Sequence, residues 1–286
     1  MASSVQAPRA VSEKIANFAS MNEAQKGISV VINTRNAADV IEPTLRSASG
    51  FEEILVCDME STDATCALAE AHGARVITFP YEGQRCAEPA RDFAIRSAAC
   101  EWVLVVDADE VITPELRAYL YDRITRGDCP DGLWLPRKNH LLGQWIHGTY
   151  PDYQLRFFRR DKTTWPPFVH TMAKVDGRQE HVPAGRHDLA LVHASAPLHA
   201  VAERINRYTD DELRRRPDRG VSLWKLIVKP WFRFVRSYIL RGGFRDGVAG
   251  YVAARNEAIY KYFQLAKQAE RHLQGVSAPE ADKEDK

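Results

Sequence analysis

The chain has 286 residues, 45% of them hydrophobic, which is enough to bury a full core and excludes disorder as its dominant state. Lys plus Arg number 39 against 38 Asp plus Glu, a net charge of +1, so the chain as a whole carries the footprint of neither a nucleic-acid binder nor an acidic scaffold. Cys57, Cys66, Cys86, Cys100 and Cys129 are irregularly spaced with no C-x-x-C pair, which argues against a disulfide framework or a zinc cluster and for a reducing compartment.

Residues 1–26 read as a flexible leader without the charged start, apolar run and small-residue cleavage site of a signal peptide. No uncharged apolar run of ~18 residues follows, so no transmembrane helix is expected and the expected location is cytoplasmic. Ile28–Ile32 is an apolar, β-branched run that reads as a buried strand entering the polar loop Asn33–Asn36. Val40, Ile41, Leu45 and Ala48 recur at helical spacing, with Gly50 just beyond. A second strand, Glu53–Cys57, breaks at Asp58 and leads to a helix over Ala64–His72 that Gly73 closes. Arg75–Phe79 is a third strand, Arg91–Ala99 a helix, and Trp102–Val106 a fourth strand running straight into Asp107-Ala108-Asp109-Glu110. This alternation predicts an α/β fold with a mainly parallel sheet and helices on both faces.

Ligands of such sheets sit beyond the carboxyl ends of the strands, which divides the expected site among Asn33–Asn36, Asp58–Asp63 and Asp107–Glu110. Thr113 and Pro114 then start a helix to Ile124, Leu133–Pro136 resumes extended structure, and Tyr153–Phe158 is a further strand. Lys174–Gly177 reads as a hairpin tip, and Leu189–His193 ends a domain spanning 27–197. Residues 198–275 form a basic, amphipathic helical extension, and 276–286 read as a disordered tail. Between Arg204 and Arg245 twelve bases stand against four acids, so this half holds a local positive field that the total conceals. Within 223–240 an apolar stripe containing Leu223, Ile227 and Trp231 runs beside Lys225, Lys229, Arg233 and Arg236, and Pro230 should kink or restart the helix. Such a stripe describes a core face or a helix lying on an anionic membrane surface; membrane contact is the reading carried forward.

Asp107 and Asp109, one residue apart at a strand terminus, suit a hard divalent cation held against phosphates, although strand-end acids also cap helices. The motifs together make the reading specific. The segment Ile28–Asn36, then Asp58–Asp63, Glu88–Ala94 and Val105–Glu110, followed by Pro136–Asn139, Gly143–Ile146, Tyr150–Phe158 and Asn206–Thr209, resemble an inverting family 2 glycosyltransferase of the GT-A fold, in the branch typified by bacterial lipopolysaccharide-core glucosyltransferases.

The resemblance implies a nucleotide-sugar donor, UDP-glucose being the first to name, and a saccharide or lipid-linked acceptor of the cell envelope. Thr34 and Asn36 would lie beside the nucleotide, Asp58 would accept from the imide N–H of the base, and Arg91 would approach the base or the diphosphate. Asp107 would face the ribose and the metal side, Asp109 would ligate Mg²⁺ or Mn²⁺, and Asp152 would be the general base. His170 and His193 are open between a metal or acceptor contact and a structural role, and Trp145 and Tyr150 between sugar stacking and core packing. Asn36-Ala37-Ala38 stands where many relatives have Asn-Glu-Glu, and Asp58-Met59-Glu60-Ser61 where others have Asp-Ser-Gly-Ser, so one acidic contact is absent and the second loop is altered. Two rivals are a sugar nucleotidyltransferase, which would want a Gly-rich phosphate loop that Asn33–Asn36 lacks, and a non-catalytic membrane-associated assembly subunit that keeps the fold.

Overall fold

The computed structural model describes residues 25–81, 88–166, 172–195, 197–215 and 220–274. Most of the expected leader, the whole expected tail, Cys86 and His170 lie outside them. The chain divides into two compact units, one of residues up to Arg137 with Asp152–His193, the other of Lys138–Pro151 with residues from Ala194 onward. Residues 138–151, inside the span 27–197, group with the second unit.

In the first unit β1 (Gln25–Thr34), β2 (Glu53–Asp58), β3 (Arg75–Thr78) and β4 (Cys100–Asp107) run parallel, linked by α1 (Ile41–Ala48), α2 (Thr65–Ala71) and α3 (Glu88–Ser97). Next come β5 (Glu110–Val111), α4 (Pro114–Arg126) and β6 (Gly132–Leu135), and, after an excursion into the second unit that begins with β7 (Arg137–Leu141) and β8 (Gln144–Trp145), β9 (Gln154–Arg159). The short strands β10 (Thr163–Thr164), β11 (Lys174–Val175), β12 (Gln179–His181) and β13 (Leu191–His193) follow. The main sheet has the order β12-β6-β9-β4-β1-β2-β3, with β9 antiparallel to both its neighbours.

Alternation explains the continuous apolar runs of β1 and β4. Ile28, Val30, Ile32, Trp102, Leu104 and Val106 pack on one face with α1 and α4, whereas Val31, Val103 and Val105 pack on the other with Ala90, Ala94 and Ile95 of α3. A strand covered on both faces needs apolar residues at every position. Helix α4 shows its boundaries in the sequence: Thr113 Oγ1 accepts from the Leu116 N–H at 3.1 Å, Pro114 occupies the first turn, and Gly127 ends the helix at φ +71°.

The segment Lys174–Gly177 is not a hairpin tip. The Asp131 carboxylate accepts from the Arg178 N–H at 2.9 Å and from Lys162 Nζ at 2.7 Å, and this pins the turn so that β11 pairs with β10 while β12 adds parallel to β6.

In the second unit β7 and β8 form a hairpin whose two turn residues, Leu142 and Gly143, both have positive φ, +52° and +74°. Its helices are α5 (Leu198–Arg215), α6 (Leu223–Val235) and α7 (Gly247–Leu273), and Leu141, Ile146 and Ala249 form its buried cluster. Pro230 neither breaks nor restarts α6. The irregularity falls just after the helix, where Arg236–Leu240 makes a π turn closed by the Arg241 N–H on the Arg236 carbonyl at 2.9 Å.

Candidate active site

Parallel register brings the three expected loops to one edge. Thr34 stands opposite Asp58 across β1 and β2, and Asn33 stands opposite Asp107 across β1 and β4. Two kinds of arrangement are built there.

The first is a set of self-supporting turns. Asp58 is buried, and its carboxylate accepts from the Ser61 N–H at 2.9 Å and the Ser61 hydroxyl at 2.5 Å, so it shapes its own loop. Asn36, at φ +50°, accepts from the Thr62 N–H at 2.8 Å and donates its own N–H to Ser61 Oγ at 2.8 Å. Asp63 supports the start of α2 through the Thr65 N–H at 3.0 Å, and it also accepts from the Ala38 N–H at 3.0 Å. The Thr34 hydroxyl differs from these groups: it is buried with no hydrogen-bond partner among the described residues.

The second arrangement is a chain of alternating charge. Arg91 Nη2 lies 2.7 Å from Asp107 Oδ1, and Arg156 Nη2 lies 2.5 Å from Asp107 Oδ2. Arg156 Nη2 also comes within 3.6 Å of Glu110 Oε1, which accepts from Arg137 Nη1 at 3.1 Å. Arg137 in turn donates from Nε and Nη2 to Asp152 Oδ2, at 2.9 and 2.8 Å. Glu110 is completely buried and also accepts from the Asp107 N–H at 2.9 Å. Burial works to raise the Asp107 carboxyl, but the Arg156 and Arg91 guanidinium groups outweigh it and hold the group well below the usual carboxylate range. Three guanidinium groups thus neutralise three carboxylates, and their planar forks fix the orientation of each.

Arg91, expected near the donor, is committed to Asp107 and stacks over the Trp165 ring at 4.8 Å. Asp152, at φ +34°, receives its second carboxylate contact from Gln154 Nε2 at 3.2 Å. Trp145 and Tyr150 pack edge to face in the second unit, with Lys138 Nζ 4.7 Å from the Trp145 ring. Asn206 and Thr209 likewise belong to that unit, where Lys267 Nζ ties them to α7 at 2.7 and 2.9 Å.

Sequence reasoning passed over Arg137, Arg156 and Glu110 as individual positions. Arg156 carried a legible signal, being a charged residue inside the apolar run Leu155–Phe158 of a strand. Arg137 and Glu110 lie inside the segments Pro136–Asn139 and Val105–Glu110, but their roles were not legible because their ion-pair partners are 15 to 46 positions away.

Asp109 lies within the field of Arg156 and also makes a contact on another strand. Its Oδ2 lies 3.2 Å from His193 Nε2 on β13, which pairs with β5. At this spacing the two groups are hydrogen-bonded, and it is the Asp109 carboxylate, a hard oxygen donor just beyond the end of β4, that suits Mg²⁺ or Mn²⁺. Among the described residues no group of three His, Cys, Asp or Glu side chains could hold a metal. The fit is therefore to a cation that takes most of its shell from phosphate and water.

Residues 29–175, half of the chain, match the family model of glycosyl transferase family 2. The chain belongs to that family. With the mainly parallel sheet and the helices on both faces, its fold is GT-A. A lipopolysaccharide core biosynthesis glycosyltransferase of Rhizobium meliloti (strain 1021), LpsC, is 27% identical over 259 residues, which cover 86% of this chain and 93% of the relative. An uncharacterized glycosyltransferase of Rickettsia typhi (strain ATCC VR-144 / Wilmington) is 24% identical over 290 residues, covering 90% of this chain and 91% of that one. Among solved structures, the mannosyltransferase PcManGT of Pyrobaculum calidifontis, in complex with GDP-Man and Mn²⁺, aligns with 93% of this chain and 94% of its own at 15% identity and a TM-score of 0.48.

Proposed function

We propose that this family 2 glycosyltransferase moves a hexose from a UDP-hexose, UDP-glucose being the donor to try first, onto a lipopolysaccharide-core or lipid-linked saccharide of the cell envelope, with inversion. Membership of the family and the likeness to LpsC over most of the chain support the reaction class and the acceptor class. One structural observation supports the mechanism: Asp152 is held by Arg137 in the same charge chain that holds Asp107 at the carboxyl edge of the sheet.

Asp152 takes the proton from the acceptor hydroxyl as that oxygen attacks the anomeric carbon, and the bond from that carbon to the diphosphate oxygen breaks on the opposite face. A single displacement of this kind inverts the configuration. Arg137 keeps the Asp152 carboxylate pointed while the acceptor changes, which is the positional component of catalysis. Thr34, whose buried hydroxyl has no partner among the described residues, supplies a polar contact to the nucleotide, and Asn36 and Asp58 shape the loops beside it. Arg91 acts on the donor through Asp107. Asp109 would hold Mg²⁺ or Mn²⁺, with His193 hydrogen-bonded beside it. The chemistry supplied by the bound cation is neutralisation of the charge that builds on the departing diphosphate.

The test is calorimetric titration of UDP, GDP, dTDP and CDP with Mn²⁺ and again with chelator. Metal-dependent binding of UDP above the other nucleotides supports the reading. Binding of none of them removes it and leaves a non-catalytic subunit that keeps the fold.

A further inference from the structure

Helix α6 is the most apolar surface element of the second unit, and none of its residues is buried. Leu223 and Trp224 are each 72% exposed, Ile227 58% and Trp231 64%. At 3.6 residues per turn these four side chains occupy an arc of about 100°, while Lys225, Lys229, Arg233 and Arg236 occupy a separate arc of about 80°. Beyond the helix, Leu240, Phe244 and Val248 are again exposed, at 70%, 51% and 74%. An amphipathic helix whose apolar stripe packs on its own core would leave its basic side outward and its Trp residues covered; here both sides face out.

Charge selects the occupant. From Gly220 to Arg245 there are six bases, Lys225, Lys229, Arg233, Arg236, Arg241 and Arg245, and no acid. From outside the segment Glu257 approaches Arg233 at 4.0 Å and Arg241 at 3.9 Å, and Asp246 is buried against His147. A second copy of this chain would bring the same excess of positive charge face to face, whereas an anionic bilayer complements it and admits Trp and Leu side chains to its interface.

We propose that the Leu223–Leu240 segment, with Phe244 and Val248, is a membrane-docking face that lies in the interfacial plane of an anionic bilayer and inserts Trp224 and Trp231. The proposal stands independently of the glycosyl-transfer chemistry, because it uses no residue of the site described above. Docking of this kind would concentrate the protein on the surface that carries a lipid-borne acceptor.

Flotation of the full chain with vesicles of phosphatidylcholine alone, and with added phosphatidylglycerol, tests it. The expected result is co-flotation with the anionic vesicles, at least tenfold weaker binding to the neutral ones, and a blue shift of Trp fluorescence on binding. The double variants Trp224→Ser/Trp231→Ser and Lys225→Glu/Lys229→Glu should each lose at least tenfold in vesicle affinity while UDP titration and the unfolding midpoint stay at the wild-type values. Equal binding to both vesicle types, no binding, or a vesicle-free dimer in light scattering that the Trp pair abolishes would each overturn the proposal, the last by giving the face to a second copy.

Discussion

Arg137 joins Glu110 to Asp152: one guanidinium nitrogen reaches the buried Glu110 carboxylate at 3.1 Å, while Nε and the other terminal nitrogen converge on Asp152 Oδ2 at 2.9 and 2.8 Å. The residue proposed as the base therefore takes its orientation from a fully buried acid 42 positions before it in the chain, through a side chain that ordinary motif reading passes over.

Arg137→Met should fail in two measurable ways. It leaves Glu110 buried with its main counter-charge removed, which costs about 3–5 kcal/mol in urea unfolding. It also frees the Asp152 carboxylate, so kcat falls by about 100-fold in protein that remains folded, with UDP affinity unchanged. Arg137→Lys keeps the charge without the fork, and should recover most of the stability and little of the kcat.

Asp152→Asn and Asp109→Asn should separate the two halves of the reaction. The first removes the proton acceptor and should lower kcat by at least 10³-fold while sparing UDP binding. The second should weaken Mn²⁺-dependent UDP binding by about tenfold or more, read by calorimetry with and without chelator. Equal loss of nucleotide binding in both variants would refute this division of roles.

Gly250 lies where α7 meets the Gly243 backbone, and a Cβ added there would overlap the Gly243 carbonyl oxygen and come within 2.8 Å of Asp246 Cβ. Backbone cannot swing aside as a flexible side chain can. Gly250→Ala should thus destabilise the helical unit by about 1–3 kcal/mol, seen as a lower urea midpoint, with UDP affinity intact.

Asp131 offers a pH-dependent test. Lys162 Nζ and the Arg178 N–H hold its carboxyl below the ordinary value, so the folded state favours the ionised form. A depressed folded pKa gives stability that is fully present above the unfolded value, about 3.9, and is lost as pH falls through the folded value. Asp131→Asn should be less stable than wild type by no more than about 1 kcal/mol at pH 7, because the pair is near the surface. The difference should begin to shrink as pH falls below about 4 and vanish only once pH has passed the lower folded value, as read by chemical denaturation.

The sequence alone determined the layered core and which strand-end loops share one edge of the sheet. Two-sided burial demands continuous apolar strands, so Ile28–Ile32 and Trp102–Val106 announce themselves, and a parallel sheet presents the carboxyl ends of its strands together, which put Thr34, Asp58 and Asp107 at one edge before any coordinates. Only the tertiary structure decided what those acids do. Asp58 folds its own loop through Ser61, three residues away, yet the same spacing could equally serve a ligand. Asp107 meets Arg91 and Arg156, Glu110 meets Arg137, and Asp109 meets His193; each of these partners is 16 to 84 positions distant. Local pattern encodes which residues are inward and which element they sit on, but ion pairs at such separations depend on strand order and register. The apolar stripe of α6 shows the same limit from the other side: its periodicity was plain, and whether it faced a core or the outside was a property of what packed against it.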